Sequence, residues 1–269
     1  LDQYAVVGNP IAHSKSPSIH KHFAEQTQQE LIYSTLLGDD VQFERQVRDF
    51  FANDGKGMNI TMPFKERAYA MCDVLSKRAE QAGAVNTLLM SENGDIFGDN
   101  TDGIGMVRDI THNHGQALTG KRVLILGAGG AVRGVLEPLL SENPESVTIA
   151  NRTVEKAQGL AEHFDCLAAT FEDLKGEFDI IINGTSASLS GSLPPLKDEL
   201  AGSKTWCYDM MYGKERTVFL QWADDHGGKG ADGLGMLVGQ AAEAFYLWRQ
   251  VRPDTASLVA LMRKQMEAS

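Results

Sequence analysis

The chain of 269 residues, 42% of them hydrophobic, is long enough for two ordinary domains, each with its own core. A formal net charge of -11, with no compensating Lys/Arg cluster, excludes nucleic acid as a partner, because its phosphates would be repelled; any anionic ligand must meet locally placed cations. Cys72, Cys166 and Cys207 lack metal-ligand spacing and suit reduced thiols, and the pairs His20/His22 and His112/His114 would face different sides of a helix, so no metal is expected.

The start, Leu1-Asp2-Gln3, has no basic segment followed by a long apolar run, and no later stretch is long enough to cross a bilayer. A cytoplasmic protein without a membrane partner is expected. Tyr4-Ala5-Val6-Val7 predicts a short buried strand, ended by Gly8-Asn9-Pro10. Ser16-Pro17 reads as the N-cap and first position of a helix whose inner face carries Ile19 and Phe23. Ser14, Ser16 and the free backbone N–H groups at that helix start form an anion site suited to a carboxylate. Capping by Ser16 alone would leave Ser14 and Lys15 without a purpose.

Tyr33 to Leu37 predicts a second strand, and Phe43, Val47, Phe50 and Phe51 mark the inner face of a helix. Met58-Asn59-Ile60 is a strand running straight into Thr61-Met62-Pro63-Phe64-Lys65. Ligands of open parallel sheets bind beyond the carboxyl ends of strands, so Asn59, Thr61 and Lys65 are placed to line a pocket. Leu75 and Ala79 suggest another helix, residues 83–89 another strand near whose start Asn86 is a polar candidate, and Asn93-Gly94 a hairpin turn.

Gly98-Asp99-Asn100-Thr101-Asp102-Gly103 joins two α/β segments. Alone it is turn and helix-cap chemistry. At a crossover between domains its polar groups can reach a ligand bound in the cleft, which makes Asp102 the first candidate for direct chemistry.

Val123-Leu124-Ile125-Leu126 is a β-type run followed at once by Gly127-Ala128-Gly129-Gly130-Ala131-Val132-Arg133-Gly134 and a helix through Leu136, Leu139 and Leu140. Strand, glycine loop and helix are the context of a dinucleotide fingerprint, in which glycines admit the pyrophosphate to the backbone and the helix N-terminus favours its charge. Val132 stands where the third glycine or alanine is usual, so the loop is a variant. The next strand, Val147 to Ala150, ends in Asn151-Arg152-Thr153, where an NAD-binding chain places an acid for the ribose hydroxyls. Arg152 replaces that acid and, with Lys156, suits a 2'-phosphate, so the cofactor is predicted to be NADP.

Strands at 178–182 and 205–209 end in Asn183-Gly184-Thr185-Ser186 and Met210-Met211-Tyr212, which are placed to floor a nicotinamide pocket. Met210 and Tyr212 are equally readable as packing residues. Helices over 236–248, carrying Gln240 among small residues, and over about 254–266 are expected to return to the first domain, since the Rossmann unit is complete without them.

The blocks GNPIAHSKSPSIH (8–20), NITMPFK (59–65), GAVNTL (83–88), GDNTDG (98–103), LGAGGAVRGV (126–135), NRTVEKA (151–157), YDMMY (208–212) and DGLGMLVGQAA (232–242) together resemble the shikimate dehydrogenase family over essentially the whole chain. The resemblance implies two α/β domains. One, residues 1–101 plus 236–269, would be a substrate-binding and catalytic domain with a mostly parallel central sheet; the other, 102–235, would be an NADP-binding Rossmann domain. It implies reversible NADPH-dependent reduction of 3-dehydroshikimate to shikimate, in the shikimate pathway of chorismate and aromatic amino-acid biosynthesis.

By the same resemblance Lys65 and Asp102 are the catalytic pair and Ser14 and Ser16 hold the substrate carboxylate. Thr61, Asn86, Asp102 and Gln240 bind the ring hydroxyls, and Tyr212 approaches the substrate. Gly127, Ala128, Gly129, Gly130 and Ala131 take the pyrophosphate, Asn151, Arg152, Thr153 and Lys156 the adenosine phosphate, and Met210 and Gly233 the nicotinamide side. Asn59 and Thr185, at their strand ends, complete the substrate and cofactor pockets. A monomer or homodimer acting on a small molecule is expected, with mobility about 101–103 and 233–236. Two other readings remain: a quinate/shikimate dehydrogenase able to use NAD, against which Arg152 argues, and a non-catalytic NADP(H)-sensing module, which leaves Lys65 and Asp102 unexplained.

Overall fold

Val123 to Leu126 are all fully buried, and alternate residues point to opposite faces: Val123 and Ile125 join one apolar cluster, Leu124 and Leu126 another. A strand buried on both faces reads as an unbroken apolar run and belongs at the centre of a sheet covered by helices. The computed structural model, which describes residues 1–268, places this strand at the centre of the second of two six-stranded sheets. The chain packs as two units, Leu1–Gly105 with Val238–Leu258, and Met106–Leu237 with the remainder.

The first unit runs β1 (Asp2–Gly8), α1 (Ser16–Thr27), β2 (Leu31–Leu37), α2 (Phe43–Ala52), β3 (Gly55–Ile60), α3 (Lys65–Met71), β4 (Val74–Leu75), α4 (Lys77–Ala82), β5 (Thr87–Met90), β6 (Ile96–Asp99) and the start of α5 (Asp102–Arg108). Strand order is β2-β1-β3-β5-β6-β4. β1 is parallel to β2 and β3, and β4 to β6, whereas β5 is antiparallel to both neighbours. The antiparallel hairpin follows from the turn foreseen at Asn93-Gly94: Gly94 has φ +87° and its N–H donates to the Ser91 carbonyl at 3.0 Å. Ala5 and Val7 face a core with Phe43, Val47, Met58 and Phe64.

Local chemistry moves some boundaries. Lys15, not Ser16, occupies the α1 N-cap; Ser16 is already helical, and its N–H donates to Ser14 Oγ at 3.3 Å. The strand expected from Gly83 starts only at Thr87, because Gly83 closes α4 with φ +64°, a left-handed conformation that suits glycine. Asn86 therefore lies in a connection. Leu75, expected in a helix, lies in the two-residue β4.

The second unit continues with a π-helical turn, Asp109–Asn113, then β7 (Arg122–Leu126), α6 (Gly130–Ser141), β8 (Ser146–Ala150), α7 (Val154–Phe164), β9 (Leu167–Ala169), β10 (Ile180–Asn183), β11 (Trp206–Asp209), α8 (Val218–Asp225), β12 (Lys229–Asp232) and the start of α9 (Leu234–Arg249). Its sheet is wholly parallel, in the order β12-β11-β10-β7-β8-β9. Strand order reverses between β7 and β10, the place where such sheets bind ligands beyond their carboxyl ends.

The last helix, α10 (Thr255–Ala268), divides between the units, where the sequence had both final helices returning to the first. Its start is tied to the first unit by the Gln26 side chain, which accepts from Asp254 N–H at 2.7 Å. Its later part is held in the second by Arg263, which pairs with Asp232 and donates to the Gly213 carbonyl at 2.8 Å. No described helix is long and apolar enough to cross a membrane.

Candidate active site

In the first unit the residues singled out from sequence converge at the ends of β3 and β6. Lys65 is the first residue of α3, and its carbonyl accepts from Val85 N–H at 2.9 Å, which fixes the start of the helix. Its Nζ lies 2.6 Å from Asp102 Oδ2, with the two side chains 31% and 21% exposed. The pair is thus anchored yet open to a ligand. Asp102 opens α5, and its N–H donates to Asn100 Oδ1 at 3.1 Å.

Asn86 is the hub. Its amide donates to Asp102 Oδ1 at 2.9 Å and Thr101 Oγ1 at 2.9 Å, with Gln240 Oε1 at 3.4 Å. Gln240 reaches it because α5 and α9 approach backbone to backbone: a Cβ on Gly105 would lie 2.9 Å from Gln240 Cα, which no real side chain tolerates. Asn59, expected at the ligand, is 6% exposed and engaged by protein, accepting from Tyr33 OH at 2.7 Å and donating to the Asn86 carbonyl at 3.2 Å and Thr87 Oγ1 at 3.1 Å. Thr61 follows β3, its N–H donating to the Val7 carbonyl at 3.0 Å, and Gly8 is needed beside it because a Cβ there would strike the Thr61 methyl.

Next to Asp99 lies an ion network, buried except at Arg252, that sequence reading missed. Arg78 grips Asp99 through two hydrogen bonds of 2.8 and 2.7 Å, Ser76 Oγ donates to Asp99 at 2.6 Å, and Glu243 bridges Arg78 and Arg252. Asp99 in turn accepts from Asn100 N–H at 2.7 Å, so the clamp holds the segment that presents Asp102. Asp99 sits inside the GDNTDG block; its arginine, 21 residues away, carries no local signal.

In the second unit the glycine loop leaves open space beside its backbone. Gly127 has φ +105°, which side chains avoid, and a Cβ on Gly129 or Gly130 would meet nothing within 4 Å. Glycines kept where protein leaves open space suit a ligand approaching the backbone. The N-terminus of α6 has no side-chain cap, leaving its N–H groups for an anion. Val132 is buried and its methyl packs where a Cβ on Gly184 would sit. The small residue that lets helix and sheet approach has thus moved from α6 to the β10 loop.

Arg152 and Lys156 are exposed beside the end of β8. Thr153 occupies the α7 N-cap but its hydroxyl makes no cap, while Asn151 Nδ2 donates to its carbonyl at 2.9 Å. At the ends of β10 and β11, Asn183 Oδ1 accepts from Thr185 N–H and Oγ1 at 3.1 and 2.7 Å, and the Asn183 carbonyl accepts from Met210 N–H at 2.9 Å. Asp209 buttresses both turns, accepting from Ser188 Oγ at 2.7 Å and Asn183 Nδ2 at 3.1 Å; burial raises its pKa against those bonds. Gly233 must be glycine, since a Cβ would run into the Met210 carbonyl. Burial, and then the charge of Asp232, raise the pKa of Tyr212.

These residues fit NADP: an open glycine turn, an uncapped helix N-terminus, and cations where the adenosine phosphate would lie. The chain matches the family models described as shikimate dehydrogenase substrate binding domain over residues 6–88, shikimate / quinate 5-dehydrogenase over 109–190, and shikimate 5'-dehydrogenase C-terminal domain over 233–267. It is 58% identical to shikimate dehydrogenase (NADP(+)) of Cellvibrio japonicus, covering 98% of each chain. It is 56% identical to the protein of the same name from Alkalilimnicola ehrlichii, over 98% of this chain and 99% of that one. Among solved structures, an Ael1 enzyme from Pseudomonas putida superposes with a TM-score of 0.93 at 47% identity, covering 97% and 98% of the two chains. Shikimate 5-dehydrogenase from Thermus thermophilus, in complex with NADP(H) and shikimate, gives a TM-score of 0.88 at 34% identity over 98% and 99%.

Proposed function

Because the chain belongs to the shikimate dehydrogenase family, we propose that it catalyses the reversible NADPH-dependent reduction of 3-dehydroshikimate to shikimate, a step towards chorismate and the aromatic amino acids. The observation that carries the reading is the partly exposed Lys65–Asp102 pair, 2.6 Å apart and braced by Asn86. An NADP(H)-sensing module has no use for it.

Gly127 to Ala131, Asn151, Arg152, Thr153 and Lys156, with Thr185, Met210 and Gly233, would hold NADPH, which would supply the hydride. The chain's own residues manage charge and protons. Ser14 and Ser16 hold the substrate carboxylate at the start of α1. Thr61, Asn86, Asp102 and Gln240 orient the ring hydroxyls, Tyr212 approaches the ring, and Asn59 supports Asn86 from behind. As the ketone becomes an alcohol, negative charge grows on its oxygen. The Lys65 ammonium stabilises that charge and gives it a proton, while Asp102 holds the ammonium in place. In the oxidative direction the Lys65 amine takes the proton back.

Arg152, in place of an acid at the end of β8, supports NADP over NAD. Cytoplasmic location belongs to the same proposal, supported by three unpaired cysteines, as does a monomeric or homodimeric state. The test follows NADPH absorbance with 3-dehydroshikimate, and NADP+ with shikimate or quinate. Turnover of shikimate with NADP+ is expected, and its absence overturns the reading.

A further inference from the structure

We propose that Tyr33 is a positioning residue of this reaction, setting the orientation of Asn86 against Asp102 through a directional relay of hydrogen bonds. The proposal rests on the assignment of Lys65 and Asp102 as the acid–base pair.

Tyr33 lies on β2, paired in register with Tyr4 of β1, and its phenol reaches over β1 to Asn59 on β3. A side-chain amide is asymmetric, one end accepting and the other donating, so a partner that fixes one end fixes both. Tyr33 OH donates to Asn59 Oδ1 at 2.7 Å, which turns the Asn59 amide N–H groups towards Thr87 Oγ1 at 3.1 Å and the Asn86 carbonyl at 3.2 Å. The Thr87 hydroxyl, already accepting, gives its single proton to Asn86 Oδ1 at 2.8 Å. Asn86 is then left with its N–H groups facing Asp102 Oδ1 and Thr101 Oγ1, both at 2.9 Å. Asp102 keeps Oδ2 for Lys65. Thr101 N–H shares in holding Asn86 Oδ1 at 2.9 Å, so the relay is not its sole support.

Two features mark Tyr33 as built for this. Its ring stacks on His20, with centroids 4.2 Å apart and planes 7° from parallel. His20 is fully buried, and among the described residues neither ring nitrogen meets a partner in hydrogen-bonding geometry. Burial lowers its pKa to about 3, an effect the Asn59 amide offsets only in part, so the imidazole is a neutral flat surface for the phenol at working pH. Burial raises the pKa of the Tyr33 phenol, an effect the Ser16 hydroxyl offsets only in part, so the phenol keeps the proton it donates to Asn59.

The test is Tyr33→Phe, which keeps the ring and the stack and deletes one hydroxyl. For shikimate oxidation kcat should fall about 10-fold, the loss of one half-buried hydrogen bond's worth of positioning, with KM for NADP+ unchanged. Tyr4→Phe is the control: its hydroxyl, on the same sheet, meets Arg249 at 3.4 Å and takes no part in the relay, so kcat should stay at the wild-type value. Thr87→Val cuts the relay one link further on and should lower kcat by itself, and adding Tyr33→Phe should cost less than about twofold more, because a cut chain cannot be cut again.

The proposal fails if Tyr33→Phe has wild-type kcat, including the case where only KM for shikimate rises and Tyr33 merely serves the carboxylate seat. It also fails if the two losses multiply, as independent packing defects would. Should Tyr33→Phe not fold, Thr87→Val with wild-type kcat overturns it alone. A wild-type protein inert on shikimate, or a Lys65→Met variant with full kcat, would instead overturn the functional assignment itself.

Discussion

Lys65 holds an ammonium 2.6 Å from a carboxylate without being sealed away from solvent, and its consequences belong to transition-state chemistry. Charge on the substrate oxygen is greatest as hydride arrives, so removing the ammonium costs the transition state more than the bound ketone. Lys65→Met should lower kcat by roughly 10² to 10⁴ with a much smaller change in KM for shikimate, measured by steady-state kinetics. Lys65→Arg should not rescue, because a guanidinium does not release its proton near neutral pH. A rise in KM with kcat intact would reduce Lys65 to a binding residue. Arg152 carries the parallel prediction for the cofactor. Arg152→Asp deletes a cation and adds repulsion, and a charge-assisted phosphate contact contributes about 1.5 to 3 kcal/mol, so the NADP to NAD ratio of kcat/KM should fall tenfold or more. An unchanged ratio would mean that Arg152 is only solvated.

At the scale of elements, the two kinds of glycine around β7 and β10 separate binding from folding. Gly129 has ordinary extended φ and open space around it, so Gly129→Ala should melt within about 2 °C of wild type while losing most NADP+ affinity, because the methyl occupies the place of the ligand. Gly184 is the reverse: a methyl there collides with Val132, and pushing α6 from the sheet should cost about 1 to 3 kcal/mol of stability. Urea denaturation and fluorescence titration of NADP+ on both variants decide it, and equal melting losses would show that the cradle is not open. Ser14 and Ser16 pose the same question at α1. Lys15 and not Ser16 occupies the N-cap, and Ser14 Oγ accepts only one long bond, from Ser16 N–H at 3.3 Å, so Ser14→Ala with Ser16→Ala should raise KM for shikimate strongly at a small cost in melting temperature.

For the whole molecule, His20 sets a pH dependence of folding. Its folded-state pKa is held down to about 3 by burial, against an ordinary value near 6.5. Below about pH 6.5 the unfolded chain binds a proton that the folded chain refuses, so stability is lost as pH falls from 6.5 towards 3. For this one group the loss at pH 5 relative to pH 7.5 is about 2 kcal/mol. His20→Phe, which preserves a ring beside Tyr33, should flatten that part of the profile, seen as a smaller shift of the urea midpoint between pH 7.5 and 5. An unaltered slope would place the acid sensitivity elsewhere.

The sequence by itself determined the elements whose cause is local. Val123 to Leu126 and the glycines after it announce a strand and an open glycine turn because side-chain period and backbone freedom are properties of neighbours in the chain. Asn93-Gly94 announces its hairpin for the same reason. Lys65, Asp102 and Asn86, which the fold brings together, and Arg152 stood out as candidates because each lies in a short block whose residue types match a chemical task. Tertiary structure alone decided the rest. The hydroxyl of Tyr33 meets Asn59 across 26 residues, Arg78 finds Asp99 across 21, and the Gly184 that compensates Val132 lies on another strand. Nothing in the local pattern of these residues distinguishes them from ordinary strand, helix or turn positions, because donors, charges and steric gaps acquire meaning only when folding brings their partners within reach. Asn59 shows both sides: its place at the end of β3 was readable, whereas the fact that its amide is fully engaged by protein was settled by neighbours the sequence keeps far apart.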